Sequence, residues 1–200
     1  MDWASIEWTR WLFNFAFFYP IVMAFFWMTG GVYYYLRRER EAPRPDAPPP
    51  LARTPFVSVL VPCFNEEAHI AATITALSAQ AYPDFEIIAI DDGSNDRTPE
   101  LLDALVADHP RLRVVHLAQN QGKANALRMG TLAATSDLLV CVDSDATLDP
   151  HAVRWMVGHL IDGPRVGAVT GNPRIRNRTT LMGRMQIGEF SAIIGLIKRA

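Results

Sequence analysis

No charged side chain occurs from Trp11 through Leu36, and this one stretch limits most severely what the chain can become. An apolar run of that length spans a bilayer with some tilt. Trp3, Trp8 and Trp11 stand at one end and Tyr33, Tyr34 and Tyr35 at the other, the placement of interfacial aromatic belts. Pro20 and the Gly30–Gly31 pair are tolerable inside a membrane helix. A cleavable signal peptide fits poorly. The apolar region is too long, Asp2 and Glu7 precede it, and no small-residue cleavage site is evident. A buried helix of a soluble domain is the competing reading, and length and aromatic placement weigh against it. Arg37, Arg38 and Arg40 follow directly, so the positive-inside rule puts everything after residue 37 in the cytosol. The expectation is an N-terminal segment over residues 1–10 and one transmembrane helix over 11–36.

Residues 37–55 read as a basic, then proline-rich linker. Pro43, Pro45, Pro48, Pro49, Pro50 and Pro55 make it a semi-extended spacer. From Phe56 the pattern alternates between strand and helix. Strands are expected at 56–61, 85–90, 112–117, 138–142 and 166–170. Helices are expected at 66–80, from Thr98–Pro99, at 122–134, and from the Asp149–Pro150 cap through about Ile161. The fourth strand is a continuous apolar run and reads as buried. Such alternation predicts an α/β domain with an open, mainly parallel, Rossmann-like sheet.

Ligands of such sheets bind outside the carboxyl ends of the strands. Polar clusters fall at those ends: Asn65–Glu66, Asp91–Asp92, and Asp143–Ser144–Asp145. In extended backbone residues i and i+2 share a side, so Asp143 and Asp145 point together. A divalent cation relieves their repulsion, and hard oxygen ligands suit Mg²⁺ or Mn²⁺, above all where a phosphate supplies further oxygens. Each cluster alone is equally a turn or a helix cap. Lys123 stands at a helix start, where the dipole does not favour a cation. Two readings stand for it: a solvated lysine of good helix propensity, or the partner of a bound phosphate. Arg174, Arg176 and Arg178 form either a phosphate- or sugar-facing stripe or, somewhat better, a solvated strand face. Asn177 begins a glycosylation sequon, which a cytosolic location makes irrelevant. The apolar tail over 179–200 is either an interfacial amphipathic helix or a core helix of a larger domain.

Several classes are excluded. The net charge is −2 over 200 residues, so there is no electrostatic footprint for nucleic acid. No Gly-x-Gly-x-x-Gly follows the first strand, no P-loop and no Gly-x-Ser-x-Gly elbow occur, and the five histidines lack zinc spacing. His69 or His116 as a catalytic base has no support in the pattern. Cys63 and Cys141 stand far apart, with buried reduced thiols the default.

The segments Pro62–Glu67, Asp91–Asp96, Gln121–Ala126 and Asp143–Asp145 occur in an order and spacing that resembles the family 2 glycosyltransferases of the GT-A fold. Val166–Arg176, Gln186–Ser191 and Ile194–Arg199 are similar to the processive, membrane-bound members that build β-1,6-linked N-acetylglucosamine exopolysaccharide in bacterial biofilms. The resemblance implies residues 56–178 as the donor-binding part of the domain. It implies Asp91 and Asp92, with Glu66 nearby, at the uracil of a UDP-sugar, and Lys123 at its phosphates. It implies Asp143 at ribose or donor sugar and Asp145 on the metal. The implied partners are the UDP-sugar, the growing polysaccharide acceptor, membrane lipid and a small membrane-protein subunit. The implied place is the bacterial inner membrane with the domain in the cytosol. The implied chemistry is inverting transfer by single displacement.

The family's Thr-Glu-Asp segment, which carries the general base, and its Gln-x-x-Arg-Trp segment do not occur between Asp145 and Ala200. The expectation is therefore a donor-binding N-terminal portion, inactive alone, with no catalytic base in these residues and the base downstream of residue 200. The alternatives are another family 2 synthase (hyaluronan, chitin, cellulose or lipid-phosphate) and a non-catalytic membrane-anchored nucleotide-binding module.

Overall fold

The computed structural model describes residues 3–41 and 43–171. The chain falls into two units, residues 1–43 with 172–200, and residues 44–171. The Arg174–Arg176–Arg178 stripe, the Asn177 sequon and the tail over 179–200 lie outside the described residues.

In the first unit, helix α1 runs over Trp3–Tyr34 and is apolar on all sides rather than along one stripe. It widens into a π-helical turn at Tyr35–Glu39, where the Arg40 amide donates to the Tyr35 carbonyl at 2.9 Å. Glu7–Arg37 is long and apolar enough to cross a membrane. Trp8 is 76% and Phe13 74% exposed, a load of apolar surface that water does not tolerate. Helix and π-helical turn together extend past the expected 11–36 at both ends.

The second unit holds strands β1 Val57–Cys63, β2 Phe85–Asp91, β3 Leu112–His116 and β4 Leu139–Cys141. They form one parallel sheet in the order β3-β2-β1-β4. Every residue of β1 and β2 is buried, as continuous apolar runs in a doubly covered parallel sheet require. Helices α2 Ile70–Ser78, α3 Thr98–Asp108 and α5 Ala152–Asp162 pack Ile74, Leu102 and Val157 against Val59, Val61, Ile87 and Ala89. Helix α4 Lys123–Ala133 sets Ala126 against Leu60, Ile88 and Ile90 on the opposite face.

Four expectations need correction. Among the described residues β4 is not a buried strand but the sheet edge, with Leu139 37% exposed and Cys141 exposed. Residues 166–170 form no strand. They face β4 across a groove of about 440 Å³, and Gly167 and Ala168 supply little β-propensity to close it. The helix expected from residue 66 starts only at Ile70, after a turn in which the Glu66 and Glu67 amides donate to the Thr98 hydroxyl and the Asp96 carboxylate. Helix α5 starts at Ala152, since Asp149 caps a preceding turn by accepting from the His151 amide at 2.9 Å. The proline-rich segment is also less of a free spacer than its composition indicates. Arg154 donates to the Pro49 carbonyl at 3.2 Å, Trp155 to that of Pro45 at 2.9 Å, and Leu51 packs on the core.

One buried charge locks the sheet end opposite the site. Glu86 is 7% exposed. It accepts from Ser58 Oγ at 2.7 Å, Thr135 Oγ1 at 2.6 Å, the Thr135 amide at 2.9 Å and Arg113 Nη1 at 2.8 Å. Burial alone raises its pKa, but the hydrogen bonds from Thr135, Ser58 and Arg113 win and bring it down to about 2. A depressed carboxylate contributes stability above its ordinary pKa, and that contribution is lost as pH falls through the folded-state value. The contribution is about 3 kcal/mol at neutral pH. Urea unfolding of the chain in detergent is expected to show Glu86→Gln less stable at pH 7 and with a smaller stability loss than the unsubstituted chain as pH drops from 4.5 toward 2. Equal stability of the two at pH 7 refutes this assignment.

Candidate functional site

The carboxyl ends of β1, β2 and β4 open on a cavity of about 400 Å³, with Glu66, Asp92, Asn120, Lys123, Asp143 and Asp145 among its lining residues. Three loops build it, and each is held by hydrogen bonds that the sequence spacing does not reveal.

Asp92 is 3% exposed. Its Oδ1 accepts from the Gln121 amide at 3.0 Å and its Oδ2 from the Gly122 amide at 2.8 Å. The end of β2 is thereby clamped to the start of α4, which sets Lys123 at the cavity wall. The geometry needs glycine twice. Gly122 has φ 88°. Gly93 has φ 66°, and a Cβ there would lie 2.7 Å from the Asn120 backbone nitrogen.

Asp91 lies behind this wall, 3% exposed and not lining the cavity. It accepts from the Ser94 amide at 3.1 Å and pairs with His116 Nδ1 at 3.2 Å. Asn65 adopts a left-handed backbone with φ 55°, which asparagine tolerates better than most residues. Its amide donates to Ser94 Oγ at 3.0 Å and its side-chain oxygen accepts from the Asn95 amide at 2.9 Å. This zipper holds Glu66 at the cavity. Cys63 is no nucleophile: burial first, then the charges of Asp91 and Glu66, push its thiol up to about 12.

Asp143 and Asp145 share the cavity through a turn rather than through strand pleating. The Ala146 amide donates to the Asp143 carbonyl at 3.0 Å. Between the two, Ser144 is buried and its carbonyl accepts from Thr73 Oγ1 of α2 at 2.7 Å. Both aspartates are exposed. Lys123 Nζ pairs with Asp143 Oδ1, whereas Asp145 has no hydrogen bond or ion pair among the described residues. No group of three or more His, Cys, Asp or Glu among the described residues is arranged to hold a metal ion by itself. The chain therefore offers hard carboxylate oxygens and leaves further coordination to water and ligand, a donor set that fits Mg²⁺ or Mn²⁺ on a phosphate group. Sequence reasoning missed Asp92 as a loop clamp, and it missed Asn65, Ser94 and His116 as supports. The end-of-strand positions of Asp91 and His116 were the available signal.

A parallel sheet of this order, with its polar residues gathered at the carboxyl edge, defines a GT-A-like α/β domain. The model of glycosyl transferase family 2 matches residues 58–198, and the chain belongs to that family. It is 37% identical over 190 residues to the poly-β-1,6-N-acetyl-D-glucosamine synthase of Staphylococcus epidermidis, covering 94% of this chain and 46% of that protein. It is 38% identical over 191 residues to the synthase of the same name from Staphylococcus aureus strain COL, covering 94% and 46%. The chain thus spans about half the length of these relatives. Among solved structures, the mannosyltransferase PcManGT from Pyrobaculum calidifontis, in complex with GDP-Man and Mn²⁺, matches with TM-score 0.60 and 30% identity over 78% of this chain and 47% of its own. S. aureus TarS 1-349 shares the fold, with TM-score 0.50 and 21% identity over 61% of this chain and 40% of its own.

The buried and exposed carboxylates are expected to differ in what their loss does to folding. Asp92→Asn replaces one acceptor oxygen by a donor facing a backbone amide, and lowers unfolding free energy by about 1–3 kcal/mol. Asp145→Asn changes it by no more than about 0.5 kcal/mol. Denaturant titrations of both variants check this, and equal losses overturn the division.

Proposed function

We propose that this chain carries the donor side of a membrane-bound, processive, inverting glycosyltransferase. It transfers N-acetylglucosamine from UDP-N-acetylglucosamine to a growing β-1,6-linked exopolysaccharide. The observation that carries this reading is the meeting of Asp92, Lys123, Asp143 and Asp145 around one cavity, in a family 2 chain similar along 94% of its length to synthases of that polymer. The uracil and ribose lie toward Glu66 and Asp92, with Asp91 supporting them from behind. The diphosphate lies between Lys123 and the Asp143–Asp145 turn.

Asp145, with Asp143 beside it, would hold Mg²⁺ or Mn²⁺, which would neutralise charge on the diphosphate. Lys123 supplies the second positive charge. Its pair with Asp143 is exposed, 60% and 61% at the two side chains, so it contributes little to stability and exchanges readily for phosphate oxygens. As the bond to the leaving UDP lengthens, negative charge grows on the β-phosphate, and Lys123 is placed to stabilise it. Asp143 then faces the ribose or the donor sugar. Deprotonation of the acceptor hydroxyl is not assigned to any of these residues. Helix α1 anchors the chain in the bacterial inner membrane, and Arg37, Arg38 and Arg40 keep the domain on the cytosolic side.

Calorimetric titration of the chain in detergent tests the donor site. UDP is expected to bind in the presence of Mn²⁺ or Mg²⁺ and more tightly than GDP. Asp145→Ala is expected to lose the metal dependence and at least about tenfold in affinity. Tighter binding of GDP defeats the uracil assignment, and in that outcome a GDP-sugar donor, as in the PcManGT complex, takes its place.

A further inference from the structure

His116 ends β3 directly beside Asp91 at the end of β2, the two being register partners in the parallel ladder. Its Nδ1 lies 3.2 Å from Asp91 Oδ2 and its Nε2 lies 3.0 Å from Asp103 Oδ1 on α3. The ring therefore bridges a buried carboxylate, 4% exposed at the side chain, and an open one, 68% exposed. Asp91 in turn accepts from the Ser94 amide, and Ser94 Oγ accepts from the Asn65 amide. The Leu117 amide also donates to the Asp91 carbonyl at 2.8 Å. One continuous set of hydrogen bonds thus runs from the surface of α3 to the cavity wall.

We propose that His116 is a positioning residue of the donor site. Tethered by Asp103, it fixes the Asp91 carboxylate and, through it, the Asp92–Ser94 turn and the Asn65–Glu66 loop that face the nucleotide. This inference rests on the donor-site reading above. Carboxylates at both ring nitrogens mean that only the imidazolium donates to both. When the ring is neutral, one carboxylate loses its donor. Leaving the buried Asp91 Oδ2 without a donor costs more than releasing exposed Asp103 to water, so the neutral ring keeps Asp91 and lets the tether go.

The charged groups facing the ring are Asp91 from β2 and Asp103 from α3. Burial lowers the ring's pKa, but the hydrogen bonds and charges of Asp103 and Asp91 outweigh it, and the net shift is upward from the ordinary histidine value. A raised histidine pKa means that the full bridge is present below the ordinary value and is lost as pH rises through the folded-state value.

Two isosteric variants separate positioning from bulk. Asparagine places its amide near the Nδ1 position and still reaches Asp91. Glutamine places it near Nε2 and reaches only Asp103. In Mn²⁺-containing calorimetric titrations of the chain, His116→Gln is expected to bind UDP about tenfold more weakly, and His116→Asn within about threefold of the unsubstituted chain. Their melting temperatures are expected to be alike. Equal UDP affinity in both variants and the unsubstituted chain overturns the positioning role alone. No UDP binding by the unsubstituted chain overturns it together with the donor-site reading. Asp103→Asn supplies a second measurement that does not depend on either variant folding, because it alters an exposed side chain. It is expected to move to lower pH the shallow loss of UDP affinity, no more than about threefold as in His116→Asn, that follows release of the tether, and an unmoved profile counts against the proposal.

Discussion

The site depends on one buried anion. Asp92 gives both carboxylate oxygens to the amides of Gln121 and Gly122, and this is what joins the end of β2 to the beginning of α4. An isolated buried carboxylate is costly. Two charge-assisted hydrogen bonds and the positive end of the α4 dipole offset that cost. The segment between β3 and α4 has no regular structure of its own, so Lys123 is placed by the clamp together with the Gly122 amide's bond to Asn120 Oδ1 at 3.0 Å. The same constraint explains the glycines. A turn that brings the Gly93 backbone against Asn120 leaves no room for a side chain.

Buried and exposed charges divide the work. Glu86, Asp91 and Asp92 are at most 7% exposed, and their oxygens are taken up in holding strands, helices and loops together. Asp143, Asp145 and Lys123 are exposed and almost unencumbered. Groups that must exchange partners with a ligand cannot also carry the fold, since each exchange would then cost several kcal/mol of stability, on the order of the whole net stability of a domain. Here the two sets do not overlap, and the backbone links them. Asp92 holds the Gly122 amide, and Gly122 adjoins Lys123.

The alternation of strands and helices, and the gathering of acidic residues at strand ends, were legible because both follow from local periodicity and from where a parallel sheet presents its loops. Helix α3 begins at Thr98 as its Thr-Pro start indicates, since proline at the first turn acts locally. What was not legible depends on partners distant in sequence. The turn that precedes α2 is held where Glu66 and Glu67 bond to residues 96–98, about thirty positions away. β4 reads as a buried strand from its apolar run, yet its burial is decided by whether a neighbour lies on its outer side, and 166–170 does not pair there. The role of His116 is invisible in isolation and follows only once β2 and β3 are set in register.

The Asp143–Ser144–Asp145 turn shows why strand-end position mattered more than strand geometry. Pleating would aim the two carboxylates to one side, but the chain has already left β4 at Cys141. What aims them is the serine between them. Its carbonyl is pinned by Thr73 from α2, its side is buried, and the Ala146 amide closes the turn on Asp143. With the middle residue held down, the flanking two are turned outward to the cavity. A pair of like charges is thus kept together by contacts beneath it rather than by any attraction between them. That arrangement leaves Asp145 open to a cation beside the Asp143 carboxylate that Lys123 already pairs with.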